Sequence, residues 1–405
     1  MRILKFFGAF LLTALVLFGF VIGWNWNAFT TFFENRKGMM EGAEWVNKTG
    51  SLKGLSEFMG ETPEYSSIAT VVIGHPDSSL YYQADTPRIM GTTANIFILI
   101  AYAKHFNSDT LNSNKLIEWD ETSRYQLPEV EESIHEQAFN EAMERGWIED
   151  GAISLEHSLA LLAEFGDLAL ADYLWWQLDQ TVWNELKNEL GISSTEMPLP
   201  YSGLYQAISP GLTKMENQEI IDKWRSRNSE EWRKHVVNLS SSFVNDEDFR
   251  SSVQSYLTKN RLGNTFMQER DAMVLFPKTT AREMTEIMEK LARDSLINQQ
   301  VSQTVKSFLD WPMDIQPGIK SDFSRYGAIY DNRMGLMNGI DFGTSAYTGD
   351  TSVQAFYLDQ LPIGFWFHAS GSQMHQDFMQ RMIYDPAMID QMYKVVENQN
   401  NVISP

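Results

Sequence analysis

The feature that most constrains the fold of this chain is the order of its secondary-structure signals. A β-branched run from Ile68 to Ile73, the turn residues Gly74-His75-Pro76-Asp77 and the returning Leu80-Tyr81-Tyr82 predict a hairpin. Short aromatic and β-branched runs return late, ahead of a helix predicted from Ser372 to Val396, at Tyr326 to Tyr330, Val353 to Leu358 and Ile363 to Phe367. This order predicts an α+β fold, in which both chain ends form one antiparallel sheet and an all-helical domain is inserted between them.

Helical patterns fill the region from about residue 95 to residue 300. The stretch from Ile96 to Ala103 is apolar nearly all round, which is typical of a helix buried on most sides. Ser154 can cap a helix over Leu155 to Phe165, and Thr280-x-x-Glu283 has the spacing of a capping box. After that box, one helix face is apolar, at Met284, Ile287, Met288 and Leu291.

Composition excludes several classes of function. The chain has 405 residues, 43% of them hydrophobic, which is enough to bury a large core. Its net charge of −21 argues against a nucleic-acid partner, because phosphate binding needs clustered Lys and Arg. The sequence has no Cys, no His-Glu-x-x-His pattern and no Gly-rich phosphate loop, so we expect no metal and no cofactor.

The N-terminus predicts a membrane segment. Arg2 and Lys5 precede an uncharged stretch of 19 residues from Phe6 to Trp24, long enough to cross a bilayer. No convincing small-x-small cleavage site follows, which favours an uncleaved anchor over a secretory signal peptide. Either reading keeps the N-terminus in the cytoplasm and places the bulk of the chain outside, in the periplasm of a cell with two membranes.

The expected domain organisation has three parts. Residues 1–24 form the anchor or signal segment, and residues 25–53 form a tether that runs into a first helix. No Pro-, Gly- or Ser-rich linker divides the remainder. Residues 54–400 are therefore expected to be one folded unit, with its helical subdomain at about 95–300 and its sheet completed by about 326–367.

Several segments occur in an order that resembles one enzyme superfamily. They are Gly91-Thr92-Thr93-Ala94-Asn95, Leu127-Pro128 through His135, Phe165-Gly166-Asp167-Leu168, Thr280 to Leu296, and Arg333-Met334-Gly335. In this order the chain resembles the serine β-lactamase and penicillin-recognising D,D-peptidase superfamily, especially its class A β-lactamase-like serine hydrolases. The resemblance covers most of the chain from Ile68 to about Phe367 and implies a β-lactamase-like fold.

The catalytic motifs of that superfamily are altered in this chain. The resemblance places Thr92-x-x-Asn95 where the family has Ser-x-x-Lys, a nucleophile with a lysine that helps remove its proton. Gly166-x-Leu168 stands where the family has Ser-x-Asn, and Arg333-x-Gly335 where it has Lys-x-Gly. Of these replacements, only Arg333 in place of the family lysine keeps the positive charge that attracts a substrate carboxylate. Asn95 cannot accept a proton near neutral pH, so we expect little turnover.

Each candidate residue also has a structural interpretation. Thr92 can cap a helix instead of acting as a nucleophile or contacting a ligand, and Asn95 can be structural. Asp167 can be a helix cap instead of a base, and Arg333 can form a salt bridge instead of binding an anion. His135 is expected to be a hydrogen-bonded structural residue. Gly335, like Gly166 and Leu168 a candidate ligand-site residue, can simply make a turn.

These observations lead to competing functions. The first is a membrane-tethered pseudoenzyme that binds a peptidoglycan-like acyl peptide through Arg333, or an envelope protein. The second is an acyl hydrolase, of β-lactamase or D,D-peptidase type, that uses Thr92 as its nucleophile. A different hydrolase site, or a scaffold whose cleft is filled by side chains, is the remaining alternative.

Overall fold

The computed structural model describes residues 33–49, 51–226, 229–312, 327–335 and 337–403. The strands β1 to β10 span Ser66–Val72, Leu80–Tyr82, Arg88–Ile89, Leu116–Glu118, Ile148–Glu149, Ala152–Ser154, Lys278–Thr279, Ala328–Met334, Gly339–Ser345 and Thr351–Leu358. The helices α1 to α9 span Arg36–Lys48, Leu52–Glu61, Ile96–Asn107, Trp119–Ser123, Glu132–Glu144, Leu155–Phe165, Leu168–Gln177, Val182–Leu190 and Tyr201–Ile208. The helices α10 to α19 span Pro210–Thr213, Asn217–Arg225, Ser229–Asn245, Glu247–Asn260, Phe266–Ala272, Ala281–Ala292, Gln299–Leu309, Ile363–Ser372, Met374–Tyr384 and Pro386–Ile403.

Both ends of the described chain contribute to one antiparallel sheet. Its five strands lie in the order β2-β1-β10-β9-β8. The early strand β1 pairs with the late strand β10, Ser66 opposite Leu358, and also with its hairpin partner β2. The predicted hairpin and the predicted α+β fold, with its helices inserted between early and late strands, are therefore confirmed.

The sheet separates two apolar cores. One face carries Ala69, Ala355 and Tyr357, which belong to the same buried cluster as the inserted helices and α15. The opposite face carries Ile68 and Phe356, which pack with side chains of α2, α17, α18 and α19. Because side chains alternate along a strand, neighbouring residues of β1 and β10 enter different cores.

The inserted helices follow the sequence prediction closely. In α3, every residue from Ile96 to Ala103 is buried. Ser154 caps α6, its Oγ accepting a hydrogen bond from the backbone N–H of His157 at 3.2 Å. Thr280 caps α15 in the same way, but only this half of the predicted capping box forms. The Glu283 carboxylate instead accepts hydrogen bonds from residues 193–195.

The predicted strand from Ile363 to Phe367 is wrong, because these residues begin helix α17. Gly364 lets α17 lie directly on α1, where a β-carbon on Gly42 would come within 2.3 Å of Gly364 Cα. This backbone contact with a distant helix outweighs the local strand preference of the aromatic residues. The predicted terminal helix is also two helices, because Asp385 separates α18 from α19 at Pro386.

The predicted anchor from Phe6 to Trp24 lies outside the described residues, as do residues 25–32 and 50 of the tether and Tyr326. Within the described ranges, no helix is both long and apolar enough to cross a membrane. The proposed boundary between residues 53 and 54 falls inside α2. Leu55 and Phe58 of this helix are buried in the core that contains Ile68.

Candidate functional site

Three of the altered motif segments meet at one place in the fold. Thr92 lies in a 3-10 turn between β3 and α3. Gly166 ends α6 in the left-handed conformation, with φ of 64°, and a β-carbon there would lie 2.9 Å from Thr92 Cγ2. Gly335, with φ of 100°, approaches the neighbouring Thr93, whose Cγ2 would lie 2.7 Å from a β-carbon at Gly335. Segments far apart in sequence therefore form a single candidate site.

Thr92 is the available hydroxyl of the Thr92-Thr93 pair. Thr93 is buried, and its hydroxyl donates to the Met90 carbonyl at 2.8 Å and lies 3.3 Å from the Tyr357 hydroxyl. Thr92 is half-buried, and no described residue makes a hydrogen bond to its side chain. Because it lies inside the 3-10 turn, Thr92 is not the N-cap of α3, which begins after Asn95.

Asn95 is fixed by a residue that the sequence analysis did not single out. Asn95 is fully buried, and its Oδ1 accepts a hydrogen bond from the Tyr201 hydroxyl at 3.2 Å. The same hydroxyl lies 3.2 Å from the Gly91 carbonyl, so Tyr201 ties both ends of the turn together. Asn95 Nδ2 has no partner among the described residues. The position of the family lysine is thus occupied by a neutral amide held by a phenol.

A buried carboxylate holds Tyr201 in place. Asp172 accepts hydrogen bonds from the backbone N–H groups of Tyr201 at 2.6 Å and Ser202 at 2.8 Å, at the first turn of α9. Burial raises the pKa of Asp172 to about 7, against the lowering effect of these hydrogen bonds. In the sequence, the sign of this contact is that Asp172 is the single carboxylate in the mostly apolar segment that forms α7.

Asp167 and Leu168 start α7 beside Gly166. Asp167 is buried and caps the helix, its Oδ1 accepting the backbone N–H groups of Ala169 at 2.9 Å and Leu170 at 3.2 Å. Its Oδ2 lies 2.6 Å from His135 Nδ1. Leu168 packs against the core that contains Ala69 and Tyr357. The capping interpretation of Asp167 and the hydrogen-bonded His135 both agree with these contacts.

The structure does not bring the Arg333 side chain to Thr92. Arg333 is buried, opposite Asp341 in the neighbouring strand, and its guanidinium lies 5.0 Å from the ring of Tyr330. Tyr330 donates to the Gln376 carbonyl of α18, which covers the sheet face opposite Thr93. A ligand-binding role for Arg333 stays a prediction, but its guanidinium points away from the turn that holds Thr92.

Carboxylates lie near Tyr201 and near Tyr205 of the same helix. Burial raises the pKa of Glu269 to about 7; Arg261 opposes this rise and the charge of Glu131 adds to it. Burial also raises the pKa of Tyr201, and the charges of Asp172 and Glu131 add to that rise. Among the described residues, no group of three or more His, Asp or Glu side chains is arranged to hold a metal ion.

Little open space lies beside the Thr92 turn. A cavity of about 10 Å³, roughly the volume needed for one water, is lined by Gly91, Ala94, Leu199, Tyr201, Leu204, Phe276 and Pro277. Aromatic and aliphatic side chains thus fill most of the region into which Asn95 and Tyr201 point.

Comparisons with solved structures return β-lactamases and a penicillin-binding protein. The β-lactamase of Sphaerobacter thermophilus DSM 20745 has a TM-score of 0.47 and 12% identity, over 89% of this chain and 99% of that chain. A class A β-lactamase from Mycobacterium abscessus has a TM-score of 0.44 and 11% identity, over 79% of this chain and 100% of that chain. PBP-A has a TM-score of 0.43 and 12% identity, over 81% of this chain and 96% of that chain.

These solved structures come from the superfamily that the order of the sequence motifs resembles. No protein-family model matches the chain. No curated protein matches it significantly.

Proposed function

We propose that this protein is a member of the β-lactamase-like fold that is not acylated at Thr92 and that acts as an interaction module of the cell envelope. The observation that carries the proposal is the neutral Asn95 beside Thr92, buried and hydrogen-bonded to Tyr201. A serine-hydrolase nucleophile needs a base to remove its proton. An amide held by a phenol cannot serve as that base, so Thr92 stays an ordinary alcohol.

Two further contacts support the loss of acylation at Thr92. The Thr92 methyl occupies the space that a side chain at position 166 would need, so the second hydroxyl of the family cannot be present. Arg333 lies on the other side of the sheet, so it does not replace the family lysine beside Thr92. The alternative function, an acyl hydrolase with Thr92 as nucleophile, lacks both proton-handling groups.

The charges and the small cavity favour one class of partner. The carboxylate of Glu131 lies near Tyr201 and that of Glu269 lies near Tyr205, and both disfavour a ligand that carries its own carboxylate. A cavity of about 10 Å³ is far smaller than a small-molecule pocket. We therefore favour an envelope protein with a neutral or basic contact segment over a peptidoglycan-like acyl peptide with a free carboxylate.

The apolar stretch from Phe6 to Trp24 supports membrane attachment. In this proposal it is a single-pass anchor in the cytoplasmic membrane, and the folded unit lies in the periplasm. Because the chain has no Cys, topology can be read from one introduced thiol. Exposed Ser370 is suitable: Ser370→Cys in intact cells should react with a membrane-impermeant maleimide, and reaction only after lysis would contradict the proposal.

Acylation is tested directly on the full-length protein in mild detergent. The protein is incubated with a penicillin and with an acyl-D-alanine thioester, beside Thr92→Ala, and intact mass is recorded. We expect no adduct that Thr92→Ala abolishes, and peptide mapping assigns any other adduct to its residue. An adduct that disappears in Thr92→Ala would establish Thr92 as a nucleophile and favour the hydrolase alternative.

The partner is sought by photo-crosslinking in cells. A photoreactive residue at exposed Glu131, near Tyr201, should capture a defined protein, whereas the same residue at exposed Glu144 of α5 should not. Capture of identical proteins at both positions would argue against an interaction surface at the site.

A further inference from the structure

A serine, a histidine and an aspartate form a continuous hydrogen-bonded chain beside the candidate site. Ser123 Oγ lies 3.1 Å from His135 Nε2, and His135 Nδ1 lies 2.6 Å from Asp167 Oδ2. The three residues come from the end of α4, from α5 and from the start of α7. This is the connectivity of a nucleophile, a general base and an orienting carboxylate.

The hydrogen bonds of Asp167 determine which nitrogen of His135 faces the carboxylate and which faces Ser123. Asp167 Oδ1 is engaged by the N-terminal amides of α7, which leaves Oδ2 for His135. When the imidazole is neutral and the carboxylate accepts a hydrogen bond from Nδ1–H, Nε2 presents a lone pair. The Ser123 hydroxyl then donates to Nε2. Trp119 stacks on the imidazole at 5.0 Å with an interplanar angle of 20°, which fixes the plane of the ring.

The three hydrogen-bonded residues differ in solvent exposure, as catalysis by a nucleophile and a base requires. Ser123 is exposed, whereas His135 is 9% exposed and Asp167 is 1% exposed. The hydroxyl is thus open to a substrate, while the base and its orienting group are shielded from competing water. Neither of the two supporting residues is needed by the Thr92 turn.

We propose that Ser123 is the nucleophile of a separate ester-cleaving site, with His135 as general base and Asp167 as the residue that positions His135. Ser123 Oγ attacks the ester carbonyl carbon while its proton passes to Nε2. Collapse of the tetrahedral intermediate breaks the bond to the leaving alcohol, which takes that proton. Water then attacks the acyl-Ser123 ester with His135 again accepting a proton, and the carboxylic acid and free Ser123 are released.

The surroundings of Ser123 define the substrate class. The backbone amides of the next three residues, Arg124, Tyr125 and Gln126, already donate to carbonyls of residues 121–123. They are therefore not available to an oxyanion, so the site requires esters with a good leaving group. Asp120 and Glu121 on α4 are exposed beside Ser123 and favour neutral or cationic esters over anionic ones.

This inference does not depend on the proposed function. It concerns Ser123, whereas the interaction module was argued from Thr92 and Asn95. An adduct on Thr92 and an adduct on Ser123 are distinguished by peptide mapping, so either proposal can fail alone.

The test uses a fluorophosphonate, which transfers its phosphonyl group to an activated serine as fluoride leaves and the hydroxyl proton passes to the base. We expect the full-length protein to gain one phosphonyl group on Ser123, and Ser123→Ala to gain none there. His135→Gln and Asp167→Asn should lower the labelling rate by at least tenfold. In Asp167→Asn the amide oxygen can still cap α7, but the amide N–H₂ then faces Nδ1–H and cannot accept its hydrogen bond.

Ser133→Ala is the matched control, because Ser133 is an exposed serine on α5. It should label like the unaltered protein, and the same ranking should hold for release of p-nitrophenol from p-nitrophenyl acetate. Thermal melting of each variant separates loss of reactivity from loss of fold. Labelling of Ser123 that is equally fast in folded His135→Gln and Asp167→Asn would overturn the proposal, as would the absence of any adduct on Ser123.

Discussion

Thr92 and Gly166 occupy each other's space: a β-carbon on Gly166 would lie 2.9 Å from both Cβ and Cγ2 of Thr92. The methyl group of Thr92, which a serine would lack, therefore fills part of the space that a side chain at position 166 would occupy. A serine at position 166 would require the neighbouring backbone or Thr92 to move.

This contact predicts a coupling between the two positions. Gly166→Ala should lower the free energy of unfolding by about 2–4 kcal/mol, from overpacking and the left-handed backbone together. In a Thr92→Gly background the overpacking share, about 1–3 kcal/mol, should vanish. Urea denaturation of the four proteins measures the coupling. Gly191→Ala is the control, because Gly191 also ends a helix with φ of 70° but has no atom within 4 Å; an equal loss there would contradict the steric explanation.

Tyr201 and Asn95 should behave as a hydrogen-bonded pair. Tyr201→Phe leaves the buried Asn95 Oδ1 without its donor and should cost about 1–3 kcal/mol of stability. The double variant with Asn95→Leu should recover part of this loss, because both polar partners are then absent. Tyr205→Phe, in the same helix, should have a smaller effect. Additive losses in the double variant would show that the pair is not coupled.

Arg333 should be important for stability. Its guanidinium is buried near Asp341, and Arg333 lowers the pKa of that carboxyl, although burial raises it overall to about 7. Arg333→Met removes the charge that lowers the pKa of the buried Asp341 carboxyl and should therefore cost about 1–3 kcal/mol at pH 8, where Asp341 is ionised. The cost should be smaller at pH 5, where it is protonated, and smaller again at pH 8 when Asp341→Asn is added. A cost that does not vary with pH would argue against this charge pair.

Stability of the whole protein should fall as pH rises from about 4 to about 7. Burial raises the pKa values of Asp172, Glu269 and Asp341 to about 7, so the folded state binds more protons than the unfolded state in this window. Each of these groups contributes its full stability below its pKa in the unfolded state. This contribution is lost as the pH rises through its pKa in the folded state, at about 1.4 kcal/mol per pH unit for each group. Asp172→Asn should reduce the slope measured by urea denaturation across this range. A slope unchanged in this variant would mean that Asp172 does not titrate there.

The contact between α1 and α17 should be intolerant of any side chain. Gly42→Ala would place a methyl group 2.3 Å from Gly364 Cα, and because the obstacle is backbone the helices must separate, at a cost of about 1–3 kcal/mol or more. Gly371→Ala, in α17 with no atom within 4 Å, should instead stabilise slightly through helix propensity. Opposite signs in thermal melting would confirm the close approach.

Much of the fold could be predicted because its elements have strong local signals. The β-branched run of β1, the apolar residues 96–103 of α3 and the caps Ser154 and Thr280 all appear where their patterns indicated. Ile363 to Phe367 could not be assigned locally, because its conformation depends on Gly42 in a helix near the other end of the chain. Such a contact has no signature within the segment itself.

The candidate site was only partly visible in the sequence. Motif order indicated that Thr92 and Gly166 belong to one site, and they touch. The orientation of Arg333 could not be read, because it depends on the strand register and on which sheet face α18 covers. Tyr201 and Ser123 were also missed, since their contacts join residues from different helices and have no fixed spacing.

The pairing of β1 with β10 and the contact of α1 with α17 have a consequence for the order in which the protein can be made and folded. The first strand and the first helix of the described residues have their partners in β10 and α17, late in the chain. At about 5–20 residues per second, translation leaves them unpaired for tens of seconds. Under the proposed export, β1 and α1 would reach the far side of the membrane before their partners and would stay unpaired until β10 and α17 follow.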